Sequence, residues 1–430
     1  MKAGARLAAA VAVLTEISAR HRPAALALAD WGKASRFAGS GDRAAVGNLV
    51  YDALRRRGSI AARMGAGTPR ALVLGAAGRA LGLDAAGIAA AADGSKHALT
   101  PLTDTESAAL ARTEPLSDAE LLADVPTWVV PLLRPVLGEH LSAEIAALSE
   151  RAPVDIRVNT LKATRKQVVA DLEKLAPVET RYSPVGLRFD APEGAGRTPN
   201  VEAEPAHGKG WFEVQDQGSQ IAALLVDARP GQDVVDLCAG AGGKTLALAA
   251  AMKGEGRILA HDNDKTRLRP IFERLARSGA KNVEVLAASN ADALSGMDRR
   301  FDRVVIDAPC TGSGTWRRRP DAKWRLKPRN LEQRQKEQRE ALAQAAPLVK
   351  PGGRLVYITC SLLPAENSEQ MALFLAANPD FSLMPYGDVW REILPGPPPA
   401  SADGRADTLL LTPARHGTDG FFVAILARNA

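Results

Sequence analysis

Cysteine is scarce in this sequence, with three residues in 430. So low and odd a count argues against a disulfide framework and favours a reducing compartment. Aromatic residues make up only 4% and histidine numbers six, and no metal site is expected. No apolar run approaches the roughly 20 residues that cross a bilayer, so no membrane span is expected. The early run LAAAVAVL, after Lys2 and Arg6, has the superficial look of a signal peptide. Leu7, Val11 and Leu14 instead follow helical spacing, Glu16 interrupts the run, and no small-residue cleavage site follows. An amphipathic first helix in a cytoplasmic protein is the expectation.

What is present describes a globular chain: 46% hydrophobic and 24% charged residues, with a net charge of +6 that fits a polyanionic partner. The length calls for two or three domains. Residues 1–145 alternate helical patterns with Gly and Pro and contain no convincing strand. Residues 146–208 change texture: PVDIRVNTL alternates as a strand, TRKQVVADLEKL reads as a helix and YSPVGLRFD as a strand, a small α+β insert. Residues 209–430 alternate strands and helices from DVVDLC to RLVYIT, which predicts a doubly wound parallel sheet. The Pro/Gly-rich stretch LPGPPPASADGRADTLLLTPARHGTDG reads as a long surface loop before a last strand, GFFVAILAR.

The chemistry concentrates where strands end. DLCAGAGGKT runs from a strand into a glycine turn and a helix, and Gly240, Gly242 and Gly243 let the backbone approach a ligand. The run matches neither G-x-G-x-x-G nor a Walker A motif, which needs Gly where Cys238 stands. Asp262, closing the next strand, stands where an acid takes ribose hydroxyls, and Asp292 follows the third strand within reach of an adenine edge. A glycine turn followed by acids after successive strands points to S-adenosylmethionine.

All three cysteines stand at the carboxyl ends of predicted parallel strands, the edge where open α/β sheets bind ligands. In FDRVVIDAPCTGSGT the strand stops at Asp307 and Cys310 opens a loop, and GRLVYITCSLLP repeats the plan with Cys360. A pyrimidine ring carbon is a poor nucleophile. A thiolate adding to the neighbouring carbon makes it enamine-like and able to accept a methyl group. Two cysteines after adjacent strands share such work, one attacking and one assisting release, and the residues alone leave the roles open. Cys238 is better read as a small core hydrophobe.

The stretch TWRRRPDAKWRLKPR follows that loop with five Arg and two Lys against one Asp. Arg317, Arg318, Arg319, Lys323, Trp324 and Arg325 are therefore candidates for RNA contact, by phosphate neutralisation and base stacking. The helix NLEQRQKEQREALAQAAPLVK reads as plain scaffold. His416 is a weak candidate for substrate contact.

Taken in order, DLCAGAGGKT, AHDND, DAPCTGSGTWRRRPDAKW, YITCSLLPAEN and TDGFFVAIL resemble the successive motifs of the RNA cytosine-5 methyltransferases of the bacterial RsmB and eukaryotic Sun type. That resemblance implies an all-α, NusB-like RNA-binding domain, seen in DRAAVGNLVYDALRRR, an RRM-like insert at RVNTL, and a Rossmann-like catalytic domain. It implies that Cys360 is the nucleophile, that Cys310 helps release the product, and that Asp307 holds the cytosine edge. The segment Cys238, Ala239, Gly240, Ala241, Gly242, Gly243 and Lys244, with Asp262, Asp292 and Asp307, would then hold S-adenosylmethionine. Many members read CAAPGGKT, whereas here Gly240-Ala241 replaces Ala-Pro, which should loosen the turn slightly. The resemblance favours 16S ribosomal RNA as substrate, and a monomer is the expected working form. A transfer-RNA cytosine methyltransferase and a non-catalytic RNA-binding assembly factor remain as alternatives.

Overall fold

A computed structural model describes residues 1–192, 194, 196–286, 294 and 296–430. The chain divides into two compact units, each assembled from three segments.

The first unit comprises Met1–Ala152, Ala191–Thr198 and Trp316–Leu326, and its long segment is helical. The first helix, Ala3–Arg20, buries Leu7, Ala10, Val13, Leu14 and Ile17, an i, i+3, i+4 stripe that a 3.6-residue turn puts on one face. It packs on Ser40–Arg55 and Pro69–Leu81, whose inner faces supply Val46, Leu49, Val50, Leu72, Leu74 and Ala77. Alanines such as Ala10, Ala53, Ala76 and Ala80 alternate with these leucines and valines in the same core. No single helix among the described residues is long and apolar enough to cross a membrane.

The second unit comprises Pro153–Asp190, Pro199–Thr315 and Lys327–Ala430 and holds two sheets. The small one has strands β1 (Val154–Val158), β2 (Val178–Glu179), β3 (Gly186–Phe189) and β4 (Phe212–Val214). The large one has β5 (Asp233–Asp236), β6 (Arg257–Ala260), β7 (Val283–Val285), β8 (Phe301–Asp307), β9 (Val349–Thr359), β10 (Phe381–Met384), β11 (Leu409–Leu411) and β12 (Phe421–Arg428).

The large sheet runs β10-β12-β9-β8-β5-β6-β7, with β11 pairing β12. Neighbours from β9 to β7 are parallel, as the alternating sequence predicts, and Val234, Val305 and Val356 lie in its buried core. The sheet is nevertheless mixed, not wholly parallel. β12 slots between β9 and β10 and is antiparallel to both. The final strand can enter that way because an antiparallel neighbour needs no helical crossover.

The small sheet is antiparallel, in the order β2-β3-β1-β4, with the helix Arg165–Asp171 after β1 and Pro205–Gly208 before β4. This is a split β-α-β arrangement of the ferredoxin-like kind. Its fourth strand lies beyond residue 208, where the sequence reading ended the insert. Three residues beside Gly210 are too few to show an alternating pattern.

The segment read as a surface loop before β12 is largely buried from Thr408 onward. Leu409, Leu411, Thr412 and Thr418 have no exposed area, and β11 pairs in register with Phe421–Val423. Side chains from elsewhere satisfy carbonyls of this segment, as where Tyr386 donates to the Pro399 oxygen at 2.7 Å. Low local hydrophobicity hid an element that packs through such bonds.

Candidate active site

The two loop cysteines meet. β8 and β9 lie side by side in parallel register, Asp307 opposite Ile358, and each is followed at once by its loop. Cys310 Sγ and Cys360 Sγ are 3.3 Å apart, both half-buried and unbridged. The Gly314 amide donates to the Cys360 carbonyl at 2.9 Å, and the Gly420 amide to the Gly314 carbonyl at 2.8 Å. The contact with Cys360 and burial together push the Cys310 thiol well above its ordinary value, so it holds its proton. Cys238 lies two residues beyond β5 and has no part in that contact. Burial, then the charges of Asp236, Asp262 and Asp307, push its thiol up as well.

A residue that the sequence reading passed over holds the two loops together. Glu366 is fully buried and accepts from the Thr311 amide at 2.8 Å, the Thr311 hydroxyl, the Ser361 hydroxyl, and Gln338 Nε2 at 3.1 Å. Thr311 follows Cys310 and Ser361 follows Cys360, so one carboxylate grips the residue after each thiol. Gln338 also donates to the Pro309 carbonyl at 2.9 Å, which gives the supposed scaffold helix, Pro328–Ala345, a place in the site. Two signals were available. Glu366 is the sole charged residue between Arg354 and Glu369, and Gln338 falls on the stripe of Leu331, Leu342 and Ala345 that its helix buries.

The glycine turn lies at the carboxyl end of β5. Gly240 and Gly242 have φ of +49° and +81°, in the left-handed region, and a Cβ on Gly242 would collide with the Ile271 side chain. Asp262 is buried and accepts from the Gly240 amide at 2.9 Å and the Asp264 amide at 2.8 Å, so it shapes the turn from the neighbouring strand. Lys244, on the first turn of Gly243–Ala251, pairs with Asp307 Oδ2 at 2.7 Å, joining the turn to the carboxylate at the end of β8. Nothing in the spacing foretold that pair. Asp236, at the end of β5, has one oxygen on the Thr245 hydroxyl at 2.8 Å and the other buried without a partner. Burial pushes its carboxyl up to about 7. Asp292 lies outside the described residues.

The basic run behaves otherwise than its composition suggests. Lys323 is fully buried, with Nζ donating to the Arg55 carbonyl at 2.6 Å, and Trp324 packs on the helical core with Nε1 donating to the Leu54 carbonyl at 2.7 Å. Arg317 is buried and Arg318 half-buried, whereas Arg319 and Arg325 are exposed, Arg325 pairing with Asp321 at 2.8 Å. Lys323 is therefore internal to the first unit and not available as an RNA contact, whereas Trp324 is half-buried with its indole turned onto the helical core. A short amphipathic helix, Pro320–Arg325, uses them as anchors, because an aromatic ring and a lysine stem both carry apolar surface. His416 is also internal: Nδ1 accepts from the Thr412 amide at 2.9 Å and Nε2 meets the Ala400 carbonyl at 2.9 Å.

Comparison with known proteins places this geometry in a family. Residues 223–427 match the family model described as 16S rRNA methyltransferase RsmB/F, and residues 125–194 match the RsmF/B-like ferredoxin-like domain. A Synechocystis protein named "Probable ribosomal RNA small subunit methyltransferase B" is 32% identical over 307 residues, 70% of this chain and 66% of that one. The Salmonella arizonae "Ribosomal RNA small subunit methyltransferase B" is 36% identical over 276 residues, 63% of this chain and 62% of that one. The chain thus spans a little under two thirds of the length of these curated relatives. Among solved structures, that of the protein PH0851 superposes with a TM-score of 0.72 at 29% identity, covering 99% of this chain and 98% of that one. A methyltransferase homologue from Pyrococcus horikoshii superposes at 0.60 with 28% identity, covering 73% of this chain and all of that one. By these matches the chain belongs to the RsmB/F methyltransferase family.

Proposed function

We propose that the chain transfers a methyl group from S-adenosylmethionine to carbon 5 of a cytosine in ribosomal RNA, with 16S ribosomal RNA as the substrate. The observation that carries this reading is the pair of thiols 3.3 Å apart at the carboxyl ends of adjacent parallel strands. A methyltransferase acting on an amino group needs no sulfur there. Carbon methylation does, because the ring must first be made electron-rich.

The residues at the end of β5 fit the cofactor. The Asp236 oxygen left without a partner is an acceptor suited to an ammonium group, and the glycine turn offers close backbone approach. When bound, the cofactor supplies an electrophilic methyl group. Cys360 Sγ adds to carbon 6 of the ring, and Asp307, held by Lys244, orients the cytosine edge. Cys310, which retains its proton, serves the release of Cys360 once the proton on carbon 5 has been lost. The first unit is the NusB-like RNA-binding domain, with Arg319 and Arg325 on its exposed surface.

Bisulfite sequencing of RNA from a strain lacking the protein tests the assignment. One 16S cytosine protected in the parent should become convertible. A change confined to transfer RNA, or no change at all, would overturn the substrate or the activity.

A further inference from the structure

The RVNTL segment, which begins in β1 and runs past its end, is absorbed by none of the chemistry above, yet it carries a costly arrangement. Arg157 is buried, and burial lowers its guanidinium to about 10. Burying a charge is unfavourable by several kcal/mol unless its partners compensate, so a scaffold position would be better served by an apolar side chain. Arg157 Nη1 donates to the Gly243 carbonyl at 2.8 Å and to Gln215 Oε1 at 2.6 Å. Gly243 is the last glycine of the turn. Arg274, on the helix Ile271–Ser278, donates to the Ala241 carbonyl at 2.8 Å. Arg274 is itself held by Glu213 of β4 through Nε at 3.0 Å and Nη2 at 2.9 Å. Asn159 completes the attachment by donating to the Gly210 and Ser278 carbonyls, both at 2.8 Å.

We propose that the ferredoxin-like sheet is part of the cofactor apparatus: Arg157 and the Glu213–Arg274 pair clamp the carbonyls at 243 and 241 and set the shape, and hence the affinity, of the glycine turn. The proposal rests on the reading of that turn as the S-adenosylmethionine site. Arg157 and Arg274 are positioning residues, since they act through the turn.

The test is titration calorimetry of the full chain with S-adenosylhomocysteine, together with melting of each unliganded variant. Arg274→Gln should weaken binding by roughly tenfold, the usual consequence of losing one hydrogen bond from a charged donor, and Arg274→Lys should recover part of it. Arg277→Gln is the control, because Arg277 pairs with Glu213 at 2.7 Å and donates to no carbonyl of the turn. It should melt lower yet bind as the parent does. In turnover, Arg274→Gln should raise the KM for S-adenosylmethionine and leave kcat nearly unchanged. Arg157→Gln should behave like Arg274→Gln wherever it folds. Parental affinity in Arg274→Gln, or equal weakening in Arg277→Gln, would overturn the clamp. A parent chain that binds no S-adenosylhomocysteine would overturn the cofactor reading, and the clamp with it.

Discussion

Cys310 and Cys360 hold their sulfur atoms 3.3 Å apart although 50 residues separate them in sequence. Parallel pairing of β8 and β9 makes this possible, because equivalent positions after neighbouring parallel strands emerge at the same edge. Cys238 emerges at that edge too, but burial and three nearby carboxylates hold its thiol protonated. Cys238→Ala should therefore retain methyl transfer, and mass spectrometry after brief alkylation at pH 8 should find Cys360 modified ahead of Cys238.

Glu366 should matter as much as a thiol without touching substrate. Glu366→Ala strands the donors of Thr311, Ser361 and Gln338 in a buried site. A loss of about 2–4 kcal/mol in stability is expected, measured by urea denaturation. Glu366→Gln keeps the volume and part of the bonding, so it should cost less stability while still lowering kcat.

Asp236 predicts a pH dependence. Its folded-state pKa is raised from 3.8 to about 7, so the folded chain keeps a proton that the unfolded chain has already released. The associated stability is complete below the unfolded value and is lost as pH rises through about 7. Asp236→Asn has nothing to ionise and can still accept from Thr245. Its Tm relative to the parent should climb between pH 4 and pH 8; a constant difference would contradict the assignment.

Lys323 and Trp324 should behave as core residues. Trp324→Ala removes an indole packed on the helical core along with its bond to the Leu54 carbonyl. It should destabilise the chain by about 2 kcal/mol or more, seen as a lower Tm without RNA present. Arg319→Ala, at an exposed position, should leave Tm unchanged and weaken RNA binding more at low salt than at high salt.

Much of this was legible from residue order alone. Val304, Val305 and Ile306 announce a buried strand, Pro309 ends it, and the same plan around Cys360 predicts a shared edge. The parts that were not legible are those that depend on long-range partners. Lys323 reads as a phosphate contact because its charge is visible in the sequence, whereas the carbonyl of Arg55 that receives it is 268 residues away. Glu366 and Gln338 are ordinary surface residue types, and only the fold brings them to the thiols. The buried stretch around Leu409 was hidden by prolines and glycines whose backbone is satisfied by side chains from elsewhere. The antiparallel course of β12 left no trace, since a strand's direction is not written in its own residues.

The central claim is that one sulfur attacks the pyrimidine and the other releases it. Incubation of the parent chain, Cys310→Ala and Cys360→Ala with S-adenosylmethionine and a 16S ribosomal RNA transcript, followed by denaturing electrophoresis, reads this directly. A covalent protein–RNA band should accumulate with Cys310→Ala and be absent with Cys360→Ala, which should also transfer no methyl group. A band with Cys360→Ala alone would reverse the two roles, and methyl transfer by Cys360→Ala would contradict the account.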